Sequence, residues 1–217
     1  MRVVWTERSD GDFAVSGELG SASSSARQRI VDRPWIGLRQ VHGVRVLDVG
    51  DGPVDAFDAT EADALVTGRD DVALAVRSAD CVTLALWSAG GTIGAVHCGW
   101  RGLRDGVIDA AVERLRADAD VSISAVMGPS IGPECYEFGS ADLDDLRERL
   151  GDVVVSVTRD GRPALDVRAG VRSTLDRLGV DLVAADDRCT ACEADALHSH
   201  RARGDEGRQA LVVWIDR

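Results

Sequence analysis

The sequence predicts an α+β protein, in which helices pack against mixed β-sheets. Short runs rich in β-branched residues, each broken by Gly or Asp, crowd the first half of the chain and are typical of strands. Apolar residues at helical spacing follow, interspersed with further strands. Because strands and helices do not alternate regularly, the pattern favours mixed sheets over a doubly wound parallel sheet.

Six segments in the first half of the chain have the composition of strands. They are residues 35–40, 44–49, 64–67, 72–77, 82–87 and 92–97. Gly, Asp and Pro cluster in two other segments, 17–25 and 48–60, which we predict to be loops.

From Asp105 onward the apolar residues recur at helical spacing, with charged residues on the opposite face. The same spacing returns over residues 143–150 and 167–178, and Gly179 marks the end of the last helix. Three further strands are expected, at residues 123–127, 153–157 and 210–215.

The length of 217 residues is sufficient for a substantial core, and one domain covering residues 1–217 is expected. No apolar run approaches the roughly 18 residues that a membrane span needs. Residues 1–8 lack the apolar core of a secretory signal, so a cytoplasmic location is expected.

The chain has a formal net charge of −12 and contains no lysine. Because an acidic surface repels phosphate backbones and anionic lipids, neither nucleic acid nor a membrane is expected as a partner. The absence of lysine excludes Schiff-base chemistry and a P-loop lysine.

Three of the few histidines and cysteines lie beside predicted strand ends, where rigid scaffolds present reactive groups. The chain has 5 cysteines and 4 histidines, and an odd number of thiols argues against a disulfide framework. His42, Cys81 and His97 offer one thiolate and two imidazoles, a donor set that suits zinc with one coordination position left open. Each residue taken alone also fits an ordinary core or hydrogen-bonding role.

Two loops beside these residues suggest a binding pocket. Arg101 lies in a glycine-flanked turn, Gly99 to Gly102, ahead of a predicted helix, and such a turn suits an oxyanion or phosphate. A solvated arginine at a helix entry is the alternative. The loop at 128–133 combines two glycines with two prolines and is typical of a rigid pocket wall.

Several motifs resemble the laccase-domain family, long named polyphenol oxidases and now regarded as zinc-dependent purine nucleoside phosphorylases. In the family's order, they are QVHG at 40–43, ADALVT at 62–67, SADC at 78–81, HCGWRG at 97–102, GPSIGPECYE at 128–137, CT at 189–190, SHR at 199–201 and GRQ at 207–209. The resemblance implies an α-β sandwich with His42, Cys81 and His97 as zinc ligands. It also implies phosphorolysis of adenosine, inosine and methylthioadenosine, together with adenosine deamination. Among visible departures, Cys98 stands where the family commonly has alanine.

The resemblance assigns further expected roles. An open zinc position can activate water for attack on purine C6. Arg101 is the candidate for holding phosphate, with Arg77 as a second candidate and a solvated strand-end arginine as its alternative. Asp80 is expected to act as an acid or base or to orient a ligand histidine, although a plain turn residue is equally consistent. Contacts with the nucleoside are expected from Gln40, Gly99, Ser130 and His200.

Three other interpretations stay open. The first is a copper oxidase. A multicopper site needs more imidazoles than the 4 histidines of this chain provide. A single blue-copper centre usually adds an axial methionine, whereas the chain has only Met1 and Met127. A metal-free hydrolase could use Cys81 as nucleophile with a histidine as base. A separate structural zinc could be held by Cys189, Cys192, His198 and His200.

Overall fold

The computed structural model describes residues 1–14, 21–52, 60–116 and 121–216. The strands in this part of the chain are β1 (Arg2–Trp5), β2 (Trp35–Ile36), β3 (Val46–Asp48), β4 (Ala64–Thr67), β5 (Ala73–Ser78), β6 (Val82–Ser88), β7 (Ile93–Cys98), β8 (Ile123–Met127), β9 (Val155–Val157), β10 (Pro163–Leu165), β11 (Asp181–Ala185) and β12 (Gln209–Trp214). The α-helices described are α1 (Ser21–Ile30), α2 (Trp100–Asp105), α3 (Val107–Arg116), α4 (Ser140–Leu150), α5 (Val167–Arg177) and α6 (His200–Arg203).

Two mixed sheets form the centre of the structure. The larger has the order β11-β8-β6-β7-β4-β3 and the smaller β1-β12-β5-β2, while β9 and β10 form a separate hairpin. Most neighbouring strands are antiparallel. The exceptions are β11 with β8 and β3 with β4 in the larger sheet, and β2 with β5 in the smaller sheet, which are parallel. The predicted α+β class with mixed sheets is therefore confirmed.

Side chains of the larger sheet alternate between two cores, as the period of a strand requires. In β7, Val96 and Cys98 belong to the core formed with α2, α3 and α5. Ile93 and Ala95 of the same strand pack in a second core, which also holds Leu74 and Leu211 of the smaller sheet. The larger sheet is thus covered by helices on one face and by the smaller sheet on the other.

The pairing around β7 positions the functional residues. In the antiparallel β6–β7 pair, Val82 lies opposite Cys98 and Thr83 opposite His97. Cys81, just before β6, therefore lies at the same end of the sheet as His97. On the other side of β7, the backbone N–H of His97 donates to the carbonyl of Asp63 at 2.8 Å, which places Asp63 beside this histidine.

Several predicted boundaries were wrong. The strands predicted at 35–40 and 44–49 are confined to β2 and β3. Beyond β2 the backbone leaves the sheet, and the side-chain amide of Gln40 bonds instead to the backbone N–H and C=O of Arg77, at 2.8 and 2.7 Å. This side chain substitutes for strand pairing, which a composition pattern does not reveal.

The loop predicted at 17–25 is wrong over residues 21–25, which lie in helix α1; residues 17–20 lie outside the described residues. The Ser-rich sequence of α1 gives little helical periodicity, so its helix was missed. The loop predicted at 48–60 is observed over residues 49–52 and at Thr60, while Asp48 ends β3 and residues 53–59 lie outside the described part. Over residues 153–157 only β9 is strand, because Asp152–Val154 forms a short 3₁₀ turn.

No helix in the described part of the chain is long and apolar enough to cross a membrane.

Gly128 provides a test of how the two sheets are joined. A Cβ atom there would lie 2.0 Å from Nε1 of Trp5 and 2.7 Å from Oγ1 of Thr83, two atoms that hydrogen-bond to each other at 3.0 Å. We expect Gly128→Ala to lower the free energy of unfolding by about 1–3 kcal/mol through overpacking. Urea denaturation measures this change. Gly68→Ala is the control because its Cβ would meet nothing within 4 Å, and equal stability of the two variants would contradict the close contact.

Candidate active site

His42, Cys81 and His97 converge at one end of the larger sheet. Their donor atoms lie within 4.8 Å of one another, and the two imidazole rings are 4.9 Å apart between centroids. His97 is buried at the end of β7, Cys81 is half-buried before β6, and His42 is exposed on the loop that follows β2. This group of one thiol and two imidazoles is compatible with a bound metal.

The carboxylate of Asp63 holds two of these three residues in place. It accepts a hydrogen bond at 2.9 Å from Nδ1 of His97, and backbone N–H groups of Val41, His42 and Gly43 donate to it at 3.2, 3.0 and 2.7 Å. Burial opposes charge on Asp63, but these hydrogen bonds keep the pKa of its carboxyl below the usual value. With Nδ1 of His97 occupied, Nε2 is left as the ligand atom.

Gly99 leaves the space that the donor group needs. A Cβ atom at this position would lie 2.5 Å from Nδ1 of His42 and 3.2 Å from Sγ of Cys81. His42 itself has a left-handed backbone, with φ of 60°, which its Asp63-bound loop stabilises. Any side chain at position 99 would displace His42, so the glycine at this position is required by sterics.

The thiol and the imidazoles change each other's protonation. Burial alone would raise the pKa of Cys81, but the charge of His97 and hydrogen bonds from both histidines lower it to about 6. Burial would lower the pKa of His97, yet Cys81 and Asp63 raise it to about 9. Cys81 is therefore poised as a thiolate, the form that binds metals and attacks electrophiles.

Asp80 anchors the wall of the site. Its Oδ1 accepts a hydrogen bond from Oγ1 of Thr190 at 2.6 Å, and its Oδ2 accepts one from the backbone N–H of Arg201 at 2.7 Å. Its carbonyl accepts the N–H of Ile131 at 2.9 Å. Asp80 adopts a left-handed backbone with φ of 104°, which these three bonds offset. Orientation of His97 falls to Asp63, which the sequence alone did not indicate.

A cleft of about 780 Å³ opens over the donor group. Its walls are basic although the whole chain is acidic, because among the described residues five arginines line it against two carboxylates. These are Arg39, Arg77, Arg101, Arg201 and Arg208 against Asp80 and Glu206. Such a concentration of guanidinium groups suits an anionic ligand.

Four other predicted site residues line the cleft. Arg101 lines the cleft with its guanidinium 4.4 Å from the ring centre of Trp100. Arg77 lines it too, and its side chain donates to the carbonyl of Leu38. His200 lines the cleft at the start of α6. Gln40 also lines it, although its amide is occupied by the backbone of Arg77.

Two predicted substrate contacts lie behind the cleft wall. Ser130 is fully buried, and its hydroxyl accepts a hydrogen bond from Nε of Arg168 at 2.9 Å. Gly99 lies directly behind His42 and Cys81.

Tyr136 is a cleft residue that sequence reasoning missed. Burial, with the nearby charge of Cys81, raises the pKa of its hydroxyl to about 12, and the guanidinium of Arg201 lies 4.8 Å from its ring centre. The sequence does contain a signal for it, because Tyr136 is the one tyrosine of the chain and lies within the motif GPSIGPECYE at 128–137.

The second zinc site considered from the sequence has a different composition. Among the described residues, the ligand atoms of Cys189 and Cys192 lie within 4.8 Å of those of Glu134 and Cys135. Neither His198 nor His200 belongs to this group. His198 instead packs on Gly207, where a Cβ atom would lie 2.3 Å from Cε1 of the histidine.

Known proteins share this sequence pattern. The family model described as multi-copper polyphenol oxidoreductase laccase matches residues 13–216. A purine nucleoside phosphorylase of Corynebacterium glutamicum is 35% identical over 237 aligned positions, covering 99% of this chain and 94% of the relative. A purine nucleoside phosphorylase of Mycobacterium tuberculosis is 38% identical over 206 positions, covering 94% of this chain and 79% of the relative.

Solved structures share the fold as well. A Neisseria meningitidis protein superposes with a TM-score of 0.84 at 27% identity, covering 99% of this chain and 94% of the other. A hypothetical protein of Bacillus licheniformis gives a TM-score of 0.82 at 25% identity, covering 98% and 92%. From the motifs, the fold and these matches, the chain belongs to the laccase-domain family.

Proposed function

We propose that this protein is a zinc-dependent purine nucleoside phosphorylase with adenosine deaminase activity. The observation that carries the proposal is a one-thiol, two-imidazole donor group at the floor of an arginine-lined cleft. The substrates proposed are adenosine, inosine or methylthioadenosine together with phosphate. The products are the free base and the sugar 1-phosphate. Relatives named purine nucleoside phosphorylase support this choice over an oxidase.

His42, Cys81 and His97 are the proposed zinc ligands. A bound zinc ion supplies a Lewis acid and lowers the pKa of water, which suits hydrolytic removal of the amino group of adenosine. Asp63 fixes the tautomer of His97, as a carboxylate behind a ligand histidine commonly does. Gly99 keeps the space beside His42 and Cys81 free of side chain.

The arginines of the cleft are proposed to hold phosphate. In phosphorolysis a phosphate oxygen attacks C1′ of the sugar, the bond from C1′ to the purine nitrogen breaks, and the departing base takes up a proton. Arg101 would orient the attacking dianion, with Arg77 as the second candidate. Asp80 acts as a positioning residue, because both of its carboxylate oxygens are bonded to the cleft wall. His200 and Gln40 lie where they can contact the nucleoside.

The thiolate of Cys81 beside His97 also favours a second candidate, a metal-free cysteine hydrolase. Copper-dependent phenol oxidation is the alternative that the family description names. Both alternatives are distinguished from the proposal by metal content and by the effect of chelators.

Loss of a ligand tests the proposal most directly. We expect Cys81→Ala and His97→Ala to lower phosphorolysis and deamination by more than about 100-fold, since removing even an outer partner of a ligand costs about 10–100-fold. Product formation from adenosine and inosine is followed with and without phosphate. Cys98→Ala, which removes a core thiol that is not among the proposed ligands, is the control.

The three-ligand site is wrong if both variants keep full activity. Activity that survives chelators but not alkylation would favour the cysteine hydrolase. Phenol oxidation dependent on bound copper, without phosphorolysis, would favour the oxidase.

Asp63→Asn tests the orientation of His97. The amide cannot accept from His97 and from three backbone N–H groups as the carboxylate does, so zinc affinity is expected to fall about 10–100-fold. Competition with a chromogenic zinc chelator measures the affinity. The control is Glu61→Gln, an exposed carboxylate two residues away that pairs with Arg39 at 3.1 Å. Equal affinity of the two variants would remove the role assigned to Asp63.

Arg101→Gln tests phosphate binding. A hydrogen bond to a charged group contributes about 1.5–3 kcal/mol, so the KM for phosphate is expected to rise about 10–100-fold with a smaller change in the KM for nucleoside. Arg104→Gln is a matched control on the same helix, since Arg104 lies 5.5 Å from the same Trp100 ring but pairs with Asp105. A phosphate KM that rises no more in Arg101→Gln than in the control would reject this role.

A further inference from the structure

A second group of metal donors lies outside the lining of the cleft. Glu134, Cys135, Cys189 and Cys192 each offer a ligand atom, and these atoms lie within 4.8 Å of one another. Cys189 is buried, Glu134 and Cys135 are half-buried, and Cys192 is exposed, so an ion can reach the group from solvent. None of these side chains belongs to the donor group of His42, Cys81 and His97.

The spacing of the sulfur atoms suits a tetrahedral ion. Sγ of Cys135 lies 3.5 Å from Sγ of Cys192. Two thiolates bound to one zinc at about 2.3 Å in tetrahedral geometry are about 3.8 Å apart. The carboxylate of Glu134 lies 3.8 Å from Sγ of Cys192 and completes a set of four donors.

Backbone N–H groups and a nearby arginine donate hydrogen bonds to two of these sulfur atoms. The N–H of Gly132 donates to Sγ of Cys189 at 3.1 Å, and the backbone of Ala191 and Cys192 also bonds to this sulfur. The guanidinium of Arg159 donates to Sγ of Cys192 at 3.0 Å. Donors aimed at ligand sulfur are the outer partners that structural metal sites use.

We propose that Cys135, Cys189, Cys192 and Glu134 bind a structural Zn²⁺ ion. A closed set of four protein ligands rich in thiolate favours zinc and leaves no position for substrate. On binding, the thiol protons are released to solvent as the zinc–sulfur bonds form. No electron is transferred, so the site needs no oxidant or reductant.

The ion would tie together two segments that carry cleft residues. Cys135 precedes Tyr136 of the cleft, and Cys189 precedes Thr190, the partner of Asp80. The segments already meet where the N–H of Thr190 donates to the carbonyl of Ser130 at 3.1 Å. Bound zinc therefore stabilises the wall on which Asp80 depends, whatever reaction the cleft performs.

Zinc content in reducing buffer tests the proposal. Cys192→Ser and Cys135→Ser are each expected to carry one zinc equivalent fewer than the parent protein, with affinity for the lost ion reduced at least about 100-fold, more than loss of an outer partner costs. Cys98→Ala is the thiol-loss control and is expected to keep the zinc content of the parent, because this thiol lies in the core. Zinc content unchanged in both serine variants would overturn the proposal.

The parent protein loaded with ¹¹³Cd²⁺ gives an answer that does not depend on the variants folding. A cadmium signal with the downfield shift of three sulfur ligands supports the site, and it is distinct from the signal of a one-sulfur, two-nitrogen site. If the one-sulfur signal alone is present, the structural site is rejected while the proposed catalytic metal stands. If the three-sulfur signal alone is present, the structural site stands and the proposed catalytic metal is rejected.

The oxidation state of the thiols provides a last check. The proposal requires Cys135 and Cys192 to be reduced, as zinc-bound thiolates, in the zinc-loaded protein. A disulfide between them in non-reduced peptides would overturn it and indicate a redox pair. Zinc removal from the parent is also expected to speed amide exchange at Gly132, with Leu84 of central β6 as the unchanged reference.

Discussion

The site depends on the hydrogen bonds that the buried carboxylate of Asp63 accepts. Its two oxygens join the loop of His42 to the end of β7 through bonds to His97 and to three consecutive backbone N–H groups. Without this carboxylate, three partly buried N–H groups would lose their acceptor, and the two histidines would no longer be held by the same side chain. The remaining geometry, including the space beside Gly99, follows from the position this carboxylate gives to His42.

Electrostatics separates the cleft from the rest of the surface. The chain carries a net charge of −12, yet arginines dominate the cleft that opens over Cys81 and His97. The positive arginines attract anions to the cleft, and the negative charge of the remaining surface repels anions elsewhere. Asp80 contributes by structure and not by free charge, since its oxygens are bonded to Thr190 and Arg201.

The sequence predicted that His42, Cys81 and His97 would come together, and it predicted part of the architecture. The strand at 64–67 and the strand at 123–127 were predicted with their observed bounds, because local composition and alternation determine them. It gave no role to Asp63, because its partner His97 is 34 positions away. It also paired Cys189 and Cys192 with nearby histidines, whereas the fold brings them to Cys135, 57 positions from Cys192.

The amino-acid sequence specifies the α+β class, excludes lysine chemistry and supplies the thiol and imidazole donors. These follow from composition and from periodicity over a few residues. Which of these donors meet depends on the three-dimensional arrangement of the strands. The order of strands puts β6 between β7 and β8, so Cys81 meets His97 and the loop after β8 meets the segment of Cys189. That order depends on packing between distant parts of the chain, which no local pattern contains.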